Sequence, residues 1–400
     1  MGGIIGVAYY KRFVFKHRAI YLPTIKKRLR VVEMVFTQMN EKTICFDLEG
    51  PLSPQDNAYE VMKLMGEEGA RIFEVISRYD DVISLEGREG YEPGDTLALI
   101  VPFFLAHGIT EADIRNVSAR AKIVEGAKYL FEQLRADNWD IYIISTSYEQ
   151  HAYSIGRQLG VPEDHIRCTK LDLTTIKRTL PESAFTLLKE AKEEILELYS
   201  DIDSDHPDRI VNRLDELFFK QLPELGFEIF STRVIGGERK AEAIRAIAER
   251  KGIALRDILA VGDSITDYKM LNEVATQDGV AVVFNGNDYA VPYANVGLAS
   301  VDIRFLYMVC EAFARAGKGA AMDLVTNWEA NRSVFAENPA SIPDSEITAD
   351  IREFVTTRTG TMPFPYFHNL ERADERRKAE IIAIHKQFRM RVREDAGKLG

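Results

Sequence analysis

Cysteine is scarce in this chain. Cys45, Cys168 and Cys310 are the only three in 400 residues, with no Cys-x-x-Cys and no close pair. That leaves no disulfide framework and points to a reducing compartment, the cytoplasm. The seven histidines include no His-x-x-x-His, so a zinc site has no ligand set. The glycine-rich stretch Gly87 to Gly94 lacks the Gly-Lys-Ser/Thr ending of a phosphate-cradling loop and reads as a plain connection. No apolar run reaches the length of a transmembrane segment. Basic charge is also missing where a nucleic-acid channel would need it. Of a net charge of −11, residues 1–40 contribute +7, eight Lys and Arg against Glu33, so the rest of the chain carries −18.

Hydrophobic residues make up 46% and charged residues 28% of the chain, as in soluble globular proteins, with length for a substantial core and appended pieces. The stretch that organises it is Thr43-Ile44-Cys45-Phe46-Asp47-Leu48-Glu49-Gly50-Pro51. A short buried strand runs into two carboxylates and is stopped by Gly-Pro. A second apolar strand, Ile258 to Val261, also runs into acids, Gly262-Asp263-Ser264-Ile265-Thr266-Asp267. Between them lie a strand ending in Ser145-Thr146-Ser147 and a helix that starts near Lys240. In open α/β sheets the carboxyl ends of strands are where ligands bind. Two buried strand-end carboxylates repel unless a cation or proton intervenes.

In this order, Asp-x-Glu, Ser/Thr, Lys and Gly-Asp-Ser-x-Thr-Asp, the pieces resemble the four motifs of the haloacid dehalogenase (HAD) superfamily of phosphatases, over roughly residues 43–300. The helical segment after the first motif resembles the cap of the phosphoserine-phosphatase branch. A weaker resemblance, carried by Asp-Leu-Glu-Gly-Pro and Val283-Phe284-Asn285-Gly286-Asn287-Asp288-Tyr289-Ala290, is to archaeal-type HAD proteins described as subunit R of an energy-converting hydrogenase. The fold this implies is α/β, a Rossmann-like parallel sheet with a helical cap, a second helical insertion and a helical C-terminal extension. Residues 41–52 and 123–300 form the core, 53–122 the cap, 168–230 the second insertion and 301–400 the extension. Residues 1–40 read as a basic leader, with a membrane- or partner-binding arm and a start at Met34 or Met39 as alternatives. The run Asp201 to Asp205 lacks the glycine and distal glutamate of a calcium loop and reads as a solvated connection. Beyond Asp302 the expectation is a helix from Ile303 to Ala316, an irregular stretch from Trp328 to Pro365, and a long charged helix from Glu371 to Arg393. That last helix, through Ile381, Ile382, Ile384 and Phe388, would pack on the body, on a second copy in a homodimer or on another protein partner.

The resemblance implies a site. Asp47 would be the nucleophile, and Glu49 the acid and then the base. Ser145 and Thr146 would hold phosphoryl oxygens beside Lys240, which neutralises charge. Asp47, the Glu49 main-chain carbonyl, Asp263 and Asp267 would hold Mg2+, which suits hard oxygen ligands. Read without the resemblance, Ser145 and Asp267 serve equally well as helix caps and Lys240 as a solvated helix residue. Glu49 stands where the family usually has Asp, and Pro51 where it usually has Thr. Leu97 to Phe104 offers no Arg where phosphoserine phosphatases hold a carboxylate, though Asp56 lies near their cap acid. The expected function is a Mg2+-dependent phosphatase of a small phosphorylated metabolite. The alternatives are a phosphotransferase and a non-catalytic subunit of a larger complex.

Overall fold

The computed structural model describes residues 42–204 and 207–398, apart from the side chain of Asp395. The basic leader and Asp205 of the acidic run lie outside the described residues. Seven strands form one sheet: β1 (Thr43–Phe46), β2 (Asp140–Tyr148), β3 (Ile166–Thr169), β4 (Ile258–Gly262), β5 (Val280–Phe284), β6 (Val296–Ala299) and β7 (Tyr366–Asn369). Their order is β3-β2-β1-β4-β5-β6-β7, all parallel except β7, which runs antiparallel to β6. The chain moves outward from β1 through β2 to β3, then returns to β4 on the other side of β1. This is the topological switch point, where loops part at the carboxyl ends and leave a crevice.

Alternation along the strands explains both faces. Ile44 and Phe46 enter one apolar cluster with Ile143, Val261 and Val282, while Cys45 enters the other with Tyr142, Ala260 and Ala281. A strand covered on both sides needs a continuous apolar run, which is what β1 and β4 have. The three cysteines are buried free thiols.

Helix α1 (Asn57–Met62) packs against α2 (Glu67–Glu86), which lies over the crevice, and α3 (Glu182–Leu198) packs on α2. The helices that follow β1 and those that follow β3 share one apolar cluster, with Phe73, Ile76 and Phe103 from the first group and Leu188, Leu214 and Phe218 from the second. The two insertions therefore pack together on one core. Polar pairs tie this layer to the sheet domain. Arg239, on helix α4 (Glu238–Lys251), meets Asp95 at 2.5 Å, Lys269 meets Glu92 at 2.9 Å, and Tyr148 donates to the Leu97 carbonyl at 2.5 Å. Among the described residues no single helix is long and apolar enough to cross a membrane.

Beyond Asp302 two expectations fail. Helix α5 (Leu306–Glu337) leaves helical geometry at Ala316, where the first helix was expected to end, turns at Gly317 with φ 73°, and resumes. The stretch read as irregular thus begins in helix, because Ala321, Met322, Leu324, Val325 and Trp328 recur at helical spacing and are buried. Trp328 stacks on Phe364 with centroids 5.2 Å apart and donates to the Pro365 carbonyl. A further helix spans Ala349–Thr357. The sheet also runs past the expected core boundary at residue 300, since β7 extends it, with Phe367 in the same cluster as Trp328. Helix α6 (Glu375–Arg393) is capped by Asp374, whose carboxylate accepts from the Arg377 backbone N–H at 2.8 Å.

Candidate active site

Backbone register places the acids. Phe46 pairs with Val261, so Asp47 emerges one residue past β1 and Asp263 one residue past β4, side by side at the switch point. The Asp47 N–H donates to the Val261 carbonyl at 2.8 Å and locks the exit. Gly50 lies at φ 112°, and a Cβ there would stand 2.3 Å from Asp263 Oδ2, so only glycine lets this loop cross the acid. Asp47, Asp263 and Asp267 bring oxygens within 4.8 Å of one another, and all three residues are buried.

Lys240, wholly buried on α4, reaches between two of these acids. Its Nζ is 2.6 Å from Asp47 Oδ1 and 2.7 Å from Asp267 Oδ1. Burial alone would lower the Lys240 pKa; the carboxylates of Asp267 and Asp47 more than reverse this and keep it an ammonium. Burial pushes Asp47 up to about 7, the Asp267 charge adds to the rise, and Lys240 opposes it. Asp267 is held by its loop, its Oδ2 accepting from the backbone N–H of Asp263 and Ser264 at 2.9 and 3.1 Å. It is therefore both a turn-forming acid and a member of the cluster.

Glu49 sits apart from the three. Its Oε1 accepts from the Asn57 N–H at the start of α1 at 2.8 Å. Burial and the nearby Asp56 charge raise its pKa to about 8, so it is mostly protonated at neutral pH. His151 approaches Glu49 Oε1 at 4.0 Å, but burial holds that imidazole neutral.

The two hydroxyls divide. Ser145 Oγ accepts from the Ser147 N–H at 3.1 Å and does not line the cavity. Thr146 does line it, and its buried hydroxyl has no hydrogen-bond partner. The cavity has a volume of about 80 Å3, with Asp47, Glu49 and Thr146 below and Ser77, Asp80 and Asp81 of α2 above. That is room for a small group.

The remaining wall is the one that sequence reasoning missed. Arg389 and Arg393 of α6 enter the cavity and both direct Nη1 at Asp263 Oδ2, Arg393 at 2.9 Å and Arg389 in close contact. The expected packing of α6 through Ile381, Ile382, Ile384 and Phe388 is only partly met. Ile381 and Phe388 are buried, but Ile382 and Ile384 are half-buried, and His385, Arg389 and Arg393 complete the inner face. His385 accepts from the Gly286 N–H at Nδ1 (3.1 Å), so its Nε2–H is the donor toward His368 Nδ1 at 3.3 Å. This chain anchors α6 one turn before Arg389. Arginines on the same helical face as Ile381 and Phe388 were the available signal.

The acid cluster fits a divalent cation of hard-oxygen preference. Its donors are three carboxylates, and the buried Asp263 Oδ1 has no hydrogen-bond partner.

Comparison with known proteins follows the same lines. Residues 116–302 match the haloacid dehalogenase-like hydrolase family. No curated protein matches the sequence. Among solved structures, the gene product AF1437 from Archaeoglobus fulgidus is 29% identical with a TM-score of 0.70, over 90% of this chain and 99% of that one. Two phosphoserine phosphatase structures, one of them a phospho-aspartyl intermediate analogue, each align with 67% of this chain and 98% of their own. Their identities are 14% and 16% and their TM-scores 0.43 and 0.45, too remote to bear on substrate.

Proposed function

Because residues 116–302 match the haloacid dehalogenase-like hydrolase family, we propose that this chain is a Mg2+-dependent, cytoplasmic phosphatase of a small phosphorylated metabolite, with Asp47 as nucleophile. The observation that carries this reading is the convergence of Asp47, Asp263, Asp267 and Lys240 at the sheet's switch point.

Asp47 attacks phosphorus in line. A bond forms from its carboxylate oxygen to phosphorus as the bond to the leaving oxygen breaks. Lys240 lies against the same carboxylate, opposes its protonation and offsets charge on the phosphoryl group. Glu49, protonated at neutral pH, gives its proton to the leaving oxygen. As a carboxylate it then takes a proton from the water that hydrolyses the aspartyl-phosphate. Thr146 offers its free hydroxyl to a phosphoryl oxygen. Asp47, Asp263, Asp267 and the Glu49 main-chain carbonyl would hold Mg2+, which supplies charge neutralisation at the phosphoryl oxygens when bound. An alcohol in place of water would make the same machinery a phosphotransferase.

One observation favours the non-catalytic reading. The two arginines already satisfy Asp263 Oδ2, as a scaffold that never binds a cation would require. Phosphate release from a panel of phosphometabolites and an aryl phosphate, with and without Mg2+, separates the two. Turnover that needs Mg2+ and vanishes in Asp47→Asn supports the phosphatase. A wild type as inert as Asp47→Asn on every compound supports the scaffold.

A further inference from the structure

Arg389 and Arg393 are 2% and 7% exposed, and both are spent on one carboxylate oxygen of the acid cluster. Arg389 Nη1 also reaches the Asp263 main-chain carbonyl at 3.3 Å, and its Nε donates to the Gly397 carbonyl. Arg393 Nε donates to the Pro54 carbonyl on the loop that follows the first motif. These contacts fix both side chains from behind and leave them on the cavity wall beside Asp47.

The ion pairs decide what the two arginines do. Asp47 and Asp267 share Lys240, and Asp263 holds Arg389 and Arg393. Each acid of the cluster thus has a basic partner before any ligand arrives. A divalent cation that takes Asp263 Oδ2 would leave two buried guanidinium groups without that partner, which is costly. A phosphate dianion arriving with it gives them a new one. Guanidinium groups match phosphate oxygens through paired N–H donors.

We infer that Arg389 and Arg393 are a resident counter-charge that a divalent cation displaces from Asp263, weakly by itself and more tightly with a phosphate dianion, to which the guanidinium groups then turn. The C-terminal helix is in this way part of the phosphate site, and cation and phosphate bind as a coupled pair. The inference rests on the phosphatase reading of the same site.

The test uses the full chain at neutral pH, with Mn2+ as the cation and inorganic phosphate as the dianion. Mn2+ affinity is read by electron paramagnetic resonance of the free ion. For wild type, phosphate tightens Mn2+ on the order of tenfold or more. Arg393→Gln binds Mn2+ alone more tightly by a similar factor and loses most of the coupling, and Arg393→Lys retains it. On wild type alone, hydrogen exchange of residues 385–393 provides a second reading. Mn2+ without phosphate lowers their protection, and adding phosphate restores it. Equal Mn2+ binding by wild type and Arg393→Gln with the same response to phosphate overturns the inference while leaving the phosphatase standing. Unchanged protection of 385–393 under Mn2+ also overturns it, even should Arg393→Gln fail to fold. Folded wild type and variant that both ignore Mn2+ with phosphate present would overturn the phosphatase reading as well.

Discussion

The strand-end acids and the C-terminal helix meet at one carboxylate, yet they reach it by opposite routes. Asp47 and Asp263 are where they are because an apolar strand precedes each and a turn follows. Their placement is local and is inherited from the parallel sheet. Arg389 and Arg393 arrive from a helix that begins more than a hundred residues after β4, anchored by Ile381, His385 and Phe388. Their placement exists only once that helix has docked. Chemistry carried by strand ends is legible as a motif, whereas chemistry carried by a docked helix is legible only as a face.

The sharpest way to test this division is to remove the acid that the sheet positions. Asp47→Asn should cut turnover at least a thousandfold, on the order of what losing a nucleophile costs, as measured by phosphate release at saturating Mg2+. Glu49→Gln should cost roughly 10²- to 10⁴-fold. Wild-type kcat/KM should decline above pH 8 or so, because Glu49, raised to about 8 by burial and the Asp56 charge, loses the proton it must donate. Glu49→Gln should lack that limb in a pH–rate profile. Lys240→Met leaves Asp47 and Asp267 buried and unpaired, and should cost about 3–5 kcal/mol in urea unfolding of the metal-free protein. Asp374→Ala touches only the cap of α6 and should cost about 1 kcal/mol. A loss of Mn2+–phosphate coupling in that variant, with turnover otherwise intact, would show how tightly helix docking and the site are joined.

What the sequence made readable follows the same division. β1, β4 and β5 are short apolar runs with clear stops, and the four motifs name Asp47, Glu49, Lys240, Asp263 and Asp267. Ser145 and Thr146 were both candidates because a strand end does not say which hydroxyl faces the cavity; of the two, Thr146 lines it. The second half of α5 was obscured by Gly317, which breaks the helix without ending it. β7 was missed because Tyr366-Phe367-His368-Asn369 is short, and its pairing with β6 depends on the long excursion through α5. The arginines were hidden by composition. On a helix this charged, a basic residue reads as solvated unless its neighbours four and eight positions earlier are already known to be buried.

The measurement that addresses the central claim most directly is trapping of the intermediate. Wild-type protein is mixed with an aryl phosphate and Mg2+, quenched in acid, and the peptide that contains Asp47 is weighed. A phosphoryl group on Asp47, absent from Asp47→Asn, is the predicted result. Steady turnover with no label at Asp47, or with the label on another residue, would contradict the account.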